Sequence, residues 1–414
     1  MILKKTALMI SVSALAMGLL AGCGNGTSTS TSTSTSTSTS SATETTKTSS
    51  VGTKSVIKIA TQSPLSGGSA VQGEAIKLGA QMSLDDHKAE FDKLGFELQL
   101  VPYDDQADPK KGVANAEIIS ADQSILGIVG HMNSGVAIPS SVVYEKNNIV
   151  MVSPSNTATE VTDRNLKVVN RIVARDDFQG PAAADYAFKT VKAKNIFVIQ
   201  DKTAYGQGLA EAFKDAATKQ GATIVGYEGI TIGEKDFNGV LNIALSKKPD
   251  FVFFGGLYAE GGLLIKQARD KGITAPFMGA DGWDTQGLVD VAGDKVKDAL
   301  YASISTDITK TPDGMKWADQ YKSKFGKAPD GYSAYAYDCM TIILNGIKTA
   351  SSADGGKVPV REKVRDAVRA TKDFQGVATK VSFDGKGDNT YAKVFIYKFE
   401  GPKYPGTMIS EVGK

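Results

Sequence analysis

The chain is short of the residues from which most active sites are built. Cysteine and histidine occur twice each in 414 residues, as Cys23, Cys339, His87 and His131. No Gly-x-Ser-x-Gly elbow, P-loop or His-Glu-x-x-His stretch is present. Carboxylates are numerous, but no pair stands out for acid–base work. No enzyme is expected, and neither a metal nor a cofactor. A charge imbalance is missing as well. Met1–Cys23 holds two lysines and no acid, which leaves 45 basic and 45 acidic residues beyond it. A neutral chain argues against nucleic acid and against a polybasic membrane patch.

Long apolar runs are confined to one place. Thr6–Ala21 follows Lys4-Lys5 and is too short and too rich in Ala, Ser and Gly for a membrane span, which needs roughly 20 apolar residues. It ends in Leu20-Ala21-Gly22-Cys23, small residues that mark a secretory signal peptide. A Cys directly after them resembles the bacterial lipobox, in which that Cys is lipidated and becomes the mature N-terminus; a plain signal peptide with a chance Cys is the alternative. Residues 24–54 have almost nothing apolar, and Thr27–Ser40 alternates Thr and Ser. Such a tract cannot bury a core and is expected to be a disordered tether, with an r.m.s. span of about 30 Å. With Cys23 lipidated, only Cys339 remains and no internal disulfide can form. Stability must then come from a large core.

From Ser55 onward, strand and helix patterns alternate. Val56–Ala60, Phe96–Tyr103, Ile125–Val129 and Ile149–Val152 read as strands separated by helices over Val71–Glu90, Pro109–Asp122 and Ser134–Lys146. Asp108 is the expected cap of the second helix, with Pro109 in its first turn. The pattern repeats. Ile196–Gln200, Thr223–Tyr227, Phe251–Phe254 and Phe277–Gly279 are strands, with helices at Tyr205–Gln220, Phe237–Lys247 and Glu260–Asp270, the last stopped at Gly272. Ala299–Ser305 is a further strand, helices follow at Asp313–Phe325, Tyr332–Ala350 and Val360–Ala370, and Val381–Phe383 and Lys393–Phe399 look like closing strands. Alternating βα units imply parallel sheets covered on both faces. The fold class is therefore α/β, with two doubly wound parallel-sheet lobes. The first lobe is expected over residues 55–173 plus 306–378, and the second over 174–305 plus 379–414. Several crossovers between them would form a hinge suited to closing around a ligand.

Two polar clusters stand where strands end: Gly130-His131-Met132-Asn133-Ser134 and Ser153-Pro154-Ser155-Asn156-Thr157. In a doubly wound sheet that edge is where ligands bind. Near a helix start, amides and hydroxyls can hold a carboxylate without a charged side chain.

These clusters, together with Tyr103-Asp104-Asp105-Gln106-Ala107-Asp108-Pro109, Asp201-Lys202-Thr203-Ala204-Tyr205-Gly206-Gln207-Gly208, Gly233-Glu234-Lys235-Asp236-Phe237, Gly255-Gly256, Gln267-Ala268-Arg269, Met278-Gly279-Ala280-Asp281-Gly282 and Tyr335-Ala336-Tyr337-Asp338, resemble in order and spacing the type I periplasmic binding proteins of branched-chain amino-acid ABC transporters. The resemblance runs from about Ser55 to Phe399. It implies that Ser134, with its own amide, holds a ligand α-carboxylate. The segment Ser155-Asn156-Thr157 would complete that site and offer an oxygen to the ammonium. Asp281 would pair with the ammonium, and Tyr205 would close over the ligand. A zwitterion needs donors at one end and an anion at the other, and a desolvated charge must be paired. The chain departs from well-known members at three places. A disulfide found there between the positions of Ala107 and Asn133 is absent. A tyrosine of the second lobe is replaced by Leu257, with Tyr258 beside it. A pocket-wall aromatic falls at Gln72, and a polar Gln72 suits a ligand other than leucine.

Plainer readings exist for each residue. Ser, Thr and Asn at helix starts are commonly caps, and Gly279-Ala280-Asp281-Gly282 alone is a turn signature. Tyr205 could only pack between lobes, His131 reads as structural, and Trp283 either lines the cleft or does not. Gly206-Gln207-Gly208 lacks a third glycine, Glu211 standing in its place, so no nucleotide site is expected.

The resemblance implies a lipid-anchored solute-binding protein of an ABC importer, a monomer capturing a free amino acid, branched-chain or otherwise small and aliphatic. Its partners would be that ligand, a permease with its ATPase subunits, and the membrane through the lipid anchor only. The alternatives are an amide, urea or aromatic acid as ligand, or a sensory lipoprotein of the same fold. A lipobox followed by a long Ser/Thr tether favours a Gram-positive cell surface, the periplasm being the alternative.

Overall fold

A computed structural model describes residues 54–413. The expected leader, the lipidation site at Cys23 and the Ser/Thr tract through Thr53 lie outside the described residues.

The apolar runs become strands because both of their faces can be covered. The first nine elements are β1 (Ser55–Ser63), α1 (Ala70–Lys93), β2 (Phe96–Asp104), α2 (Pro109–Ala121), β3 (Ile125–Gly130), α3 (Ser134–Lys146), β4 (Val150–Ser153), the short α4 (Glu160–Asp163) and β5 (Val169–Arg171). The strands pair in parallel in the order β2-β1-β3-β4-β5. Every residue of β3 and β4 is buried, as a sheet covered by helices on both sides requires. Asp108 caps α2, its side chain accepting from the amides of Lys110 and Lys111.

The second sheet is built from α5 (Asp176–Tyr186), β6 (Asn195–Gln200), α6 (Ala204–Lys219), β7 (Thr223–Gly229), α7 (Asn238–Lys247), β8 (Phe251–Gly255), α8 (Tyr258–Asp270), β9 (Phe277–Ala280), α9 (Gln286–Ala292) and β10 (Leu300–Ser303). There follow α10 (Pro312–Phe325), α11 (Ser333–Ala353), α12 (Arg361–Arg369), β11 (Phe374–Gln375), β12 (Lys380–Val381), β13 (Lys393–Lys398) and β14 (Thr407–Gly413). The second sheet runs β14-β13-β10-β9-β8-β6-β7, parallel from β10 to β7 and antiparallel at the edge formed by β13 and β14. The strand expected at Val381–Phe383 does not join it. Lys380–Val381 pairs only with Phe374–Gln375, in a separate ribbon. Two residues are too few to extend a ladder, and the ribbon is held instead by Asp338 on α11, which accepts from the amides of Val377, Ala378 and Thr379.

The chain passes between the sheets three times: Arg171 to Asp176, Ser303 to Pro312, and Val381 to Lys393. After the second passage it returns to the first sheet. There α11 packs against α1, β3 and β4, and α10 and the turn after it are tied to α1 by the Lys324–Asp85 and Lys327–Glu74 ion pairs. The first and third passages are bound to one another. Arg171, fully buried, donates to Asp388 at 2.6 Å. Among the described residues no helix is long and apolar enough to cross a membrane.

Candidate ligand-binding site

The strands β3 and β4 end side by side, and the two polar clusters that follow them are stitched together. The Ser153 hydroxyl accepts from the amides of Ser155 (3.3 Å) and Asn156 (2.9 Å), folding the second cluster into a turn. From that turn Ser155 Oγ donates to the His131 carbonyl at 3.0 Å, and Asn156 Nδ2 donates to the Met132 carbonyl at 2.8 Å. Behind them, Tyr144 Oη stands 3.1 Å from His131 Nε2 and donates to Gln62 at 2.8 Å. His131 is fully enclosed and serves the scaffold. The result fixes Ser134 as the first residue of α3. Asn133 caps that helix without a side-chain bond, so the first-turn amides around Ser134 and Gly135 have no intrahelical partner. Donors and the positive end of a helix dipole converge there.

The second sheet supplies the opposite wall. Thr203 caps α6, its hydroxyl accepting from the Gly206 amide at 2.9 Å, and Asp201 at the end of β6 holds Thr203 in turn. This seats Tyr205 in the first turn of α6. Gly206 lets that turn approach β8, since a Cβ there would stand 2.5 Å from the Gly255 carbonyl. Asp281 follows β9 directly. It accepts from Tyr205 Oη at 2.9 Å and from Tyr332 Oη at 2.8 Å. Burial raises the Asp281 pKa, while the Tyr332 and Tyr205 hydroxyls and Gln179 oppose the rise.

Between the two walls lies a cavity of about 350 Å³. Ser134 and Ser155 line it from the first lobe, and Tyr205, Leu257 and Asp281 from the second, with Tyr332 reaching in from just ahead of α11. Met132, Val136 and Ile232 give the rest of the wall an apolar character, and Lys202 stands at its exposed margin. The lobes meet beside it, since a Cβ on Gly68 would touch Ala259 at 3.8 Å. The arrangement offers donors on one side, a carboxylate on the other and an apolar wall between them.

Five of the nine expected residues therefore line one cavity: Ser134, Ser155, Tyr205, Leu257 and Asp281. Four do not. Asn156 is fully buried and spends its side-chain amide on the Met132 carbonyl. Thr157 is fully buried with its hydroxyl unpartnered, and its carbonyl accepts from the Asp176 amide at 2.9 Å. Tyr258 follows Leu257 but turns the other way, its ring lying over Gly287 within the second lobe's core. Gln72 is enclosed on α1, neither amide atom bonded, and is not part of the wall. Trp283 is also packed away, against Gly261, Gly279 and Phe254. The residue that sequence reasoning missed is Tyr332. It precedes a helix as an ordinary aromatic, and only the return of the chain to the first sheet brings it to Asp281.

Residues 56–403 match the family model described as periplasmic binding protein. The Leu/Ile/Val-binding protein BraC3 of Rhizobium johnstonii is 36% identical, covering 84% of this chain and 92% of its own length. A leucine-, isoleucine-, valine-, threonine- and alanine-binding protein of Pseudomonas aeruginosa is 34% identical, over 83% and 90% of the two chains. The crystal structure of a leucine-binding protein, LivK, from Thermotoga maritima superposes with a TM-score of 0.78 at 27% identity, covering 86% of this chain and 98% of that one. Two doubly wound lobes around one cavity, and a family match that spans nearly all of the described residues, place the chain in the periplasmic binding protein family.

Proposed function

We propose that the chain is the extracytoplasmic receptor of an ABC importer and captures a free α-amino acid with a branched or small aliphatic side chain. The observation that carries this reading is the polarity of the cavity. The start of α3 with Ser134 suits an α-carboxylate, and Asp281 across the cleft suits an ammonium. An amide, urea or aromatic acid would leave Asp281 buried without a counter-charge, at a cost of several kcal/mol. Leu257, Met132, Val136 and Ile232 favour an apolar side chain in between. The relatives named for leucine, isoleucine and valine support the same ligand class. The receptor binds without turning its ligand over, closes, and presents the closed form to a permease. It acts as a monomer held to the membrane by lipid on Cys23.

The test is a thermal-shift screen of residues 55–414, refolded to strip bound ligand, against all proteinogenic amino acids and a set of amides and aromatic acids. A ligand at a hundred times its dissociation constant stabilises the fold by about 2.7 kcal/mol. A shift with leucine, isoleucine, valine or another small amino acid is expected. A shift with an amide or aromatic acid alone would overturn the assigned ligand. Lipidation is checked separately, by detergent partitioning of the Cys23→Ser chain against the unaltered one.

A further inference from the structure

Just past β2 and just past β3, Asp105 and His131 face one another with no exposure to solvent. His131 Nδ1 stands 3.6 Å from Asp105 Oδ2, and among the described residues neither atom has a hydrogen-bond partner. The other carboxylate oxygen, Oδ1, accepts from the Ala107 amide at 3.0 Å. Neither residue lines the ligand cavity, but the loops that they open both do.

The protons here can be followed outward from a fixed point. The Gly112 carbonyl can only accept, so the Gln62 atom 2.8 Å from it is the amide nitrogen. Gln62 Oε1 therefore faces Tyr144 and accepts its single hydroxyl proton at 2.8 Å. Tyr144 Oη, 3.1 Å from His131 Nε2, is left to accept, so Nε2 carries a hydrogen. With Nδ1 bare, its lone pair would point at a carboxylate, and Asp105 would be a buried charge without a counter-charge. A second proton, between Nδ1 and Oδ2, removes both faults, and imidazole is the stronger base of the two groups. The neighbouring charges are spent elsewhere. Asp104 is taken by the amides of Leu65 and Gln106, Asp108 by those of Lys110 and Lys111, and the Lys111 ammonium by Gln106. Tyr103 and Tyr144, also at this corner, are phenols whose pKa burial raises, so neither supplies charge.

We infer that His131 and Asp105 form a buried imidazolium–carboxylate pair that positions the donor end of the ligand site. The pair clamps two loops to one another. Asp105 leads into Ala107 and Pro109, and His131 into Met132 and Ser134, four residues that line the cavity. Each loop needs holding. Gln106 and Ala107 both turn left-handed, with φ of 54° and 58°, a conformation that residues other than glycine keep only where their surroundings impose it. The His131 and Met132 carbonyls accept from Ser155 and Asn156, the bonds that join the two polar clusters and lead the chain into Ser134. Neither His131 nor Asp105 touches the ligand; both act through the backbone that does. The inference rests on the amino-acid reading above, which makes this cavity the site whose affinity the pair sets.

Nitrogen NMR of the full chain reads the ring directly, since His87 and His131 are its two histidines and His87→Gln removes the other signal. At pH 7 both nitrogens of His131 are expected to be protonated, and Asp105→Asn is expected to leave only Nε2 so. The positioning role is read by calorimetric titration with L-leucine, L-isoleucine and L-valine. Asp105→Ala and His131→Ala are each expected to weaken binding by about tenfold, the size of a coupled contact, and the double variant no further than the weaker of the two. A neutral His131 ring in the His87→Gln chain overturns the inference whether or not the other variants fold. Undiminished affinity in either folded variant, or losses that multiply in the double one, overturns it too. A charged ring in a chain that binds none of the three amino acids would instead sink the amino-acid reading and, with it, the positioning role.

Discussion

At the scale of single residues, the site is a division of labour between backbone and side chain. In the proposed binding mode the carboxylate end would rely on the start of α3 and the Ser134 hydroxyl, and the ammonium end on Asp281. The two ends should therefore respond unequally to substitution. Removing one partner of a buried charge pair costs about 2–5 kcal/mol, so Asp281→Asn is expected to weaken amino-acid binding by about 30-fold or more in equilibrium titration. Ser134→Ala leaves the helix amides in place and removes one charge-assisted hydrogen bond, worth about 1.5–3 kcal/mol. Its loss should be about tenfold to a hundredfold. Ser134 could be picked out locally, since it follows a buried strand and opens a helix, whereas Gly279-Ala280-Asp281-Gly282 alone reads as a turn and only the family resemblance singles out Asp281. Tyr332 escapes, because nothing local distinguishes an aromatic that will meet Asp281 from one that will pack elsewhere. Asn156 and Tyr258 misled for a related reason: neighbours of a lining residue point in other directions.

At the scale of elements, two buried acids, Asp388 on a passage between the sheets and Asp330 in the loop before α11, should respond to pH in opposite senses. Asp388 answers the buried Arg171 and Arg175, and these cations hold its carboxyl below the ordinary range despite burial. Its contribution is present above the unfolded value and is lost as pH falls through the lower, folded one. Asp388→Ala strands Arg171 and is expected to cost about 3–5 kcal/mol in denaturant unfolding at pH 7. Asp330, just ahead of α11, is the reverse case. Burial and the neighbouring Asp284 push it up to about 7. The folded form therefore binds the proton more tightly than the unfolded one, and stability drains away as pH rises towards and past 7. Asp330→Asn is expected to melt progressively higher relative to the unaltered protein as pH goes from 5 to 8; a constant difference would refute this. Elements escaped the sequence where their signals conflicted. Val169–Arg171 is a three-residue strand ending in Asn170 and Arg171. Asp176–Tyr186 contains Gly180 and Pro181. Thr407–Gly413 is an edge strand with exposed polar residues, paired beyond Lys393–Phe399, the strand that the sequence pattern reads as the last.

On the scale of the whole molecule, the alternating order of strands and helices was readable because parallel strands buried on both faces leave apolar runs that little else produces. The return of the chain to each sheet was expected from topology, and it takes the form of α11 on the first sheet and β13–β14 on the second. That return explains why no cross-link is needed between the halves. Three passages hold them together, two of them joined by the Arg171–Asp388 ion pair. Adding reductant should leave the melting temperature of residues 55–414 unchanged, since Cys339 has no second thiol in that span to pair with.

Cys339 deserves a different use from the one chemistry usually makes of it. It lies on the inner face of α11 with no exposure to solvent, and burial pushes its thiol well up. A thiol reagent can reach it only when α11 lifts from the core of the first lobe, so its labelling rate is a clock wired into the fold. If that opening requires the ligand to leave, saturating the site at a hundred times the dissociation constant should slow the clock about a hundredfold. With Cys339 as the one thiol in residues 55–414, that span thus reports its own occupancy, with no dye attached near the cleft and no residue of the site altered.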